Sequence, residues 1–127
     1  MTASLQLILR EHARWLDSGG REGQRADLSR RDLRGEDLSG VDLTGANLYR
    51  VDLRGANLSS AVLCHANLSR ARLIGADLSG VDLARANLRG TDLSVVRNLA
   101  SIRNFWKAPH ASKGLPKAAL DRLGYTL

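Results

Sequence analysis

The sequence contains few aromatic residues, and this scarcity limits the kind of core that it can form. Phenylalanine, tryptophan and tyrosine together account for 4% of the 127 residues, whereas 43% of all residues are hydrophobic. Only one aromatic residue, Tyr49, lies between residues 26 and 95. The core of that stretch must therefore consist of leucine, alanine and valine, a composition typical of repeat proteins whose units stack on one another.

Cysteine and long apolar runs are also scarce. Cys64 is the only cysteine, which excludes an internal disulfide and a cysteine-based zinc site and fits a reducing compartment. The short apolar stretch from Leu5 to Leu9 is followed by charged residues, and no run approaches the roughly 18 apolar residues of a membrane helix. We therefore expect a cytoplasmic protein with no signal peptide, no membrane span and no membrane partner.

A five-residue unit recurs without interruption from Ala26 to Val95. Leucine occupies the centre of all fourteen copies, and Asp or Asn immediately precedes twelve of these leucines. A small apolar residue, mostly Ala or Val, stands two residues before the leucine. A period of five fits neither an α-helix, with 3.6 residues per turn, nor a strand, whose side chains alternate between faces. It fits a coil with four five-residue sides, in which every leucine points to the axis.

The repeated phrases resemble those of the pentapeptide-repeat proteins. Examples are Ala46-Asn47-Leu48, Ala56-Asn57-Leu58, the sequence ADLSG at 76–80 and the sequence ANLRG at 86–90. The resemblance covers residues 26–95 and implies an all-β solenoid, a right-handed quadrilateral β-helix. Fourteen units make about 3.5 coils, which at about 4.8 Å per coil form a stack about 17 Å tall.

Residues 1–25 are predicted to be a capping helix and linker, because a stack of coils exposes its apolar interior at each end. The helix would turn Trp15 and Leu16 towards the first coil, and Gly19-Gly20 would end it. Two charged residues, Arg31 and Glu36, take inward positions in the first coil. Burying a single charge is costly, so we expect both to meet the capping helix.

Residues 96–127 are predicted to be a C-terminal cap and basic tail. The leucine register slips by one residue after Val95, and helical spacing relates Val95, Leu99, Ile102 and Trp106. This spacing predicts a helix that closes the stack, and a second short helix is predicted from Pro116 to Leu123. The tail carries a net charge of +5, whereas residues 26–95 are neutral and residues 1–25 carry +1.

Residues 20 apart lie above one another in a four-sided coil, so the columns on its surface can be predicted. We number the sides from the units that begin at residues 26, 31, 36 and 41. Side one carries an arginine column, defined as Arg30, Arg50 and Arg70, and side two adds Arg34 and Arg54. The formal charges of sides one to four are +3, +1, −3 and −1.

The arginines of sides one and two have two interpretations. One is local pairing with Asp27, Asp32 and Asp52, which would give a solvated ion-pair ladder of little energy. The other is a docking surface for carboxylates or phosphates, since arginines about 4.8 Å apart repel one another unless they lie beside anions. The sequence leaves both open.

No group of residues indicates catalysis or a cofactor. Cys64 and His65 are adjacent, but neighbours in an extended segment point in different directions, and no third group would orient the imidazole. The recurring Asp and Asn residues favour turn formation over metal binding, and the histidines at 12, 65 and 110 lack metal-ligand spacing. We expect no enzyme, no cofactor and no metal.

The sequence favours a non-enzymatic interaction or scaffold module that presents charged ladders to a protein partner. The family resemblance implies an alternative, because some pentapeptide-repeat proteins look like duplex DNA, bind DNA gyrase and confer fluoroquinolone resistance. The neutral coil and basic tail argue against that role here, since a DNA mimic should be acidic along its length.

Two further alternatives involve the tail. Nucleic acid or another polyanion could bind the arginines of sides one and two, with steep salt dependence. It could instead bind the basic tail through Arg103, Lys107, Lys113 and Lys117. The candidate tail contacts are Phe105, Trp106, Lys107, Lys113 and Lys117. Phe105 and Trp106 have a second interpretation as a plug over the end of the stack. The segment from Leu115 to Leu127 is a candidate surface for a homodimer.

Overall fold

The computed structural model describes residues 1–93, 96 and 101–103. Several predictions fall outside these residues. They are the tail contacts Phe105, Trp106, Lys107, Lys113 and Lys117, the helix from Pro116 to Leu123, and the dimer segment from Leu115 to Leu127.

Helix α1, Ala3–Asp17, lies before the repeats. The Thr2 hydroxyl caps its start by accepting a hydrogen bond of 3.1 Å from the Leu5 backbone N–H. After Ser18 at its end, Gly19 takes a φ of 65°, the left-handed conformation that commonly follows a helix. Within the described part of the chain, no helix has the length and apolarity to cross a membrane.

The repeats wind into coils held together by parallel bridges between residues 20 apart. Asp27 bridges Asn47, which bridges Asn67, which bridges Asn87, and the other three sides follow the same step. Each bridge is one residue wide, so none of the described residues forms a longer strand. The predicted stacking of residues 20 apart is therefore present, with the Asp and Asn positions forming the ladder.

The core of the coil consists of the central leucines and the small residues two before them. The leucines from Leu28 to Leu93 are at most 3% exposed, and the alanines two residues before them are equally buried. At each corner the N–H that follows the turn bonds to the leucine carbonyl three residues back, as Arg31 does to Leu28 at 3.2 Å. The two corner residues are the fourth and fifth of each unit, and their side chains therefore face outward.

Ile102 and Arg103 add a fourth layer to side four, so the prediction that Ile102 belongs to a helix is wrong. The other residues of that predicted helix, Val95, Leu99 and Trp106, lie outside the described residues. Arg103 bridges Asp82, 21 residues earlier, and its N–H bonds to the Val81 carbonyl at 2.6 Å. The Leu83 N–H in turn bonds to the Arg103 carbonyl at 3.0 Å. These bonds satisfy backbone groups that the third coil would otherwise leave exposed, and they bury Ile102 to 9% exposure. The step of 21 matches the predicted slip of one residue.

Helix α1 packs against the first coils. Leu5 is 1% exposed, and the Trp15 ring lies about a van der Waals contact above Gly45, where an added Cβ would be 3.5 Å from the ring. Arg31 donates a hydrogen bond of 3.3 Å to the Ser4 hydroxyl, and Glu36 lies 3.6 Å from the Met1 amino group. The prediction that both inward charges meet the capping helix is confirmed for Arg31, whereas Glu36 meets the amino group of Met1, which precedes α1.

Candidate docking surface

The arginine column stands on side one as the repeat predicts. The Arg30 N–H bonds to the Tyr49 carbonyl at 2.8 Å, and the Arg50 N–H bonds to the Ser69 carbonyl at 3.0 Å. The Arg70 N–H continues the row to the Arg89 carbonyl at 2.8 Å. Backbone bonds between coils thus fix the three positions, and all three side chains are exposed.

Each arginine of the column occupies the corner position at which the backbone has a positive φ. The φ angles of Arg30, Arg50 and Arg70 are 61°, 54° and 57°. At the same position on side two, glycine takes 69° at Gly35 and Gly55. The sequence contained this signal, because glycine and arginine share the fifth position of the unit, but the turn geometry was needed to interpret it.

Tyr49 holds two members of the column. The guanidinium carbon of Arg30 lies 5.7 Å from the centre of the tyrosine ring, and that of Arg50 lies 5.5 Å from it. Both distances are within the range of cation–π attraction. Tyr49 therefore draws the guanidiniums of two successive coils to one ring, a role that sequence reasoning missed.

Gly90 leaves room for the side chain of Arg70, the third arginine of the column. A Cβ at residue 90 would lie 3.1 Å from Cγ of Arg70, which is closer than most Cβ contacts in proteins. The stem of Arg70 therefore lies across the coil above it, where the column ends in glycine.

None of the three column guanidiniums has a carboxylate within 4.0 Å among residues 1–93, 96 and 101–103. Asp27, the nearest acid along side one, instead accepts hydrogen bonds from the hydroxyl and N–H of Ser29, at 2.6 and 3.0 Å. The Ser29 hydroxyl is the main cause of a lowered pKa at Asp27. Within the part of the chain that the structure describes, the column is thus not part of an ion-pair ladder.

Side two shows the opposite arrangement. Arg34 binds Asp32 with two hydrogen bonds of 2.8 Å, and Arg54 binds Asp52 with bonds of 2.9 and 2.7 Å. Arg34 also lies 3.9 Å from Asp52, and Arg72 lies 4.0 Å from it. Local pairing therefore describes Arg34 and Arg54 but not the arginine column.

These pairs change the acidity of side two. Hydrogen bonds from the Arg34 side chain, and then from its N–H, lower the pKa of Asp32 to about 2. Hydrogen bonding from the Arg54 side chain is likewise the main cause of the lowered pKa of Asp52, although burial opposes it. The two arginines have raised pKa values, chiefly through the same bonds. Asp32 and Asp52 therefore stay ionised and paired with Arg34 and Arg54 across the physiological pH range.

The other candidates for chemistry are Cys64, His65 and His12, and each occupies a structural position. Burial, followed by the nearby Asp82 carboxylate, raises the pKa of the Cys64 thiol, which disfavours the reactive thiolate. His65 is an exposed corner residue with a φ of 59°, and His12 is a buried residue of α1 on the side that faces the first coil. The described residues contain no group of three His, Cys, Asp or Glu side chains that could hold a metal ion.

Comparison with known proteins identifies the repeats. A model of pentapeptide repeats matches residues 24–59 and 56–94, with eight copies. A pentapeptide repeat protein from the cyanobacterium Cyanothece 51142 is 34% identical, with a TM-score of 0.62, over 75% of this chain and 65% of that chain. The chain therefore covers less than two thirds of that relative. No curated protein sequence matches at a significant level.

Two further solved structures are more distant. A pentapeptide repeat protein from the Arabidopsis thaliana thylakoid lumen is 27% identical over 70% of this chain and 69% of that chain, with a TM-score of 0.27. QnrB1, a plasmid-mediated fluoroquinolone resistance protein, is 17% identical over 83% of this chain and 73% of that chain, with a TM-score of 0.35. Pentapeptide-repeat structures imply a right-handed quadrilateral β-helix, and the bridges between residues 20 apart agree with it.

Proposed function

Because the chain belongs to the pentapeptide-repeat family, we propose that it is a non-enzymatic interaction module that presents side one of its coil to a protein partner. The observation that supports this proposal is the contrast between two adjacent sides. Side two pairs its arginines with Asp32 and Asp52, whereas the arginine column on side one has no carboxylate partner within the described residues. A row of cations with no carboxylate partner among the described residues is suited to binding anionic groups from another molecule.

The coil would present the column with little loss of freedom on binding. Each column residue donates its N–H to the next coil, and the leucine core behind it is almost completely buried. A rigid surface pays less conformational entropy when a partner docks. We infer that α1 serves this rigidity by capping the first coil of a stack of about 3.5 coils.

The proposal is tested by affinity capture from a lysate of the source organism. The bait proteins are the unaltered chain, the variant R30G/R50G/R70G and the variant R34Q/R54Q/R72Q. Glycine suits the positive φ of the column, so the first variant is expected to fold. The second variant removes the same number of charges from side two and serves as the matched control.

We expect one protein to be captured by the unaltered chain and by the side-two variant, but not by the column variant. If capture instead depends on the side-two arginines, the docking surface lies on side two. Equal capture by all three baits, or by none, would contradict a docking role for the arginine column.

A further inference from the structure

The backbone of the arginine column is strained in a way that packing does not require. Side chains rarely adopt a positive φ, because Cβ then approaches the neighbouring carbonyl. On side two, glycine occupies the same corner position in three coils, at Gly35, Gly55 and Gly75. On side one, the corner position is occupied by Arg30, Arg50 and Arg70. Glycine would form these corners with less backbone strain. Ser60, His65 and Arg85 adopt the same conformation on sides three and four, so the strain supports a function of the column only together with its lack of a carboxylate partner among the described residues.

We propose that the arginine column binds an acidic segment of the partner protein, with successive carboxylates of the segment lying along the column. This inference rests on the proposed function and names the chemistry of its partner. A guanidinium offers two parallel N–H donors that match a carboxylate. Three guanidiniums in one column can therefore bind three carboxylates.

The spacing of the column fits an extended segment. The three rungs span two coil steps, or about 10 Å, at about 4.8 Å per step. Alternate residues of an extended peptide place their side chains on one face, roughly 6.6 Å apart, so three carboxylates span about 13 Å. The length and exposure of the arginine side chains accommodate this difference, since the Arg70 stem already extends across the coil above it.

Tyr49 favours a peptide over single-stranded nucleic acid. Proteins that bind single strands usually offer aromatic faces on which bases stack. Tyr49 is the one aromatic residue of the repeats, and the guanidiniums of Arg30 and Arg50 lie over its ring. The ring therefore positions cations instead of presenting a free face to a base. The column therefore offers a ligand charge but no stacking surface, which suits an acidic peptide better than single-stranded nucleic acid.

The test is fluorescence anisotropy with three labelled probes. The first is a peptide with glutamate at alternate positions, the second is the same peptide with glutamine instead, and the third is a single-stranded DNA of equal charge. Each probe is titrated with the unaltered protein, R30G/R50G/R70G and R34Q/R54Q/R72Q, at low and high salt. Circular dichroism of each variant verifies that it is folded.

The glutamate peptide is expected to bind the unaltered protein and the side-two variant, and to bind the column variant at least tenfold more weakly. Its affinity should fall as salt rises, and the glutamine peptide should not bind. Equal binding of the glutamate peptide by the column variant overturns the inference, as does tighter binding of the DNA.

Two combinations of results from the lysate capture and the peptide titration distinguish this inference from the proposed function. If the column is needed to capture a protein from the lysate but no acidic peptide binds it, the acidic-segment inference fails and the docking role stands. If neither the lysate protein nor the peptide depends on the column, both fail.

Discussion

Nδ1 of His12 accepts a hydrogen bond of 2.9 Å from the backbone N–H of Ala26, the residue at which the repeats begin. This bond joins α1 to the coil and requires an unprotonated Nδ1. Burial is the main cause of a lowered pKa at His12, and the charge of Arg25 lowers it further. The Thr44 carbonyl and the Asp42 carboxylate raise the pKa of His12 in opposition to these effects. Nε2 itself makes no well-formed hydrogen bond with any described group. The folded protein therefore holds a neutral imidazole here.

Acidification is expected to weaken the contact between α1 and the coil. The pKa of His12 is lower in the folded protein, so the unfolded chain binds a proton first as the pH falls below about 6.5. The contribution of neutral His12 is thus fully present above that pH and is lost below it, at up to about 1.4 kcal/mol per pH unit. Urea unfolding across this pH range measures the slope.

The variant H12N provides the control for this pH dependence. Asparagine can present an acceptor to the Ala26 N–H but does not titrate, so the slope should decrease relative to the unaltered protein. An identical slope in the two proteins would show that His12 is not its source.

Gly23 is expected to be the least replaceable glycine near α1. Its φ is +71°, and an added Cβ would overlap the Glu11 carbonyl oxygen and lie 2.6 Å from the Trp15 nitrogen. Both are backbone atoms of the helix, so the linker or α1 would have to move. We expect G23A to lower the free energy of unfolding by at least about 2 kcal/mol.

G35A is the matched control for Gly23. Gly35 has nearly the same φ, +69°, but nothing lies within 4 Å of an added Cβ. Its substitution should cost only the left-handed backbone strain, roughly 1 kcal/mol. Urea unfolding of both variants compares the two costs, and equal losses would mean that the close packing of Gly23 does not contribute.

Sequence reasoning identified the coil more completely than its ends. The period of five fixed which leucines are buried, and stacking at 20 residues placed the arginine column before any contact was known. The bond between His12 and Ala26 depends on the angle at which α1 crosses the coil, which no local pattern encodes. Ile102 was wrongly placed because helical spacing coincided with a slipped repeat, and bonding to the exposed third coil decides in favour of the repeat.

Arg85 allows the backbone strain of the arginine corners to be measured away from the column. It is an exposed residue of side four with a φ of 58°. The left-handed conformation costs a residue with a side chain roughly 1–2 kcal/mol, whereas the greater freedom of glycine in the unfolded chain costs roughly 0.5–1 kcal/mol. R85G should therefore stabilise the protein by up to about 1.5 kcal/mol in thermal or urea unfolding.

R89G is the corresponding control, because Arg89 is also exposed but does not have a positive φ. Glycine gains nothing from the backbone conformation there, so this variant should lose stability. If R85G also loses stability, the arginine corners are not strained and the argument for a functional column weakens.

The pKa of Asp32 is lowered to about 2, but its side chain is 61% exposed and screened by solvent. Asp52 is expected to contribute more to stability, because it is less exposed and lies among three arginines. It binds Arg54 at 2.7 Å and lies within 4.0 Å of Arg34 and Arg72, while its side chain is only 17% exposed. D52N isolates the charge, since asparagine at the same position elsewhere makes the same backbone bond, as Asn57 does with the Ser59 N–H at 2.9 Å. The expected loss is roughly 1 kcal/mol at low salt.

Salt and pH distinguish this charge effect from a change in packing. High salt should reduce the loss in D52N, and D32N should lose less than D52N under the same conditions. The lowered pKa of Asp52 means that its contribution is present above about pH 4 and is lost as the pH falls through the folded value. Unfolding of the two variants at several pH values therefore tests the pairing of side two, and a loss in D52N that persists in acid and high salt would contradict it.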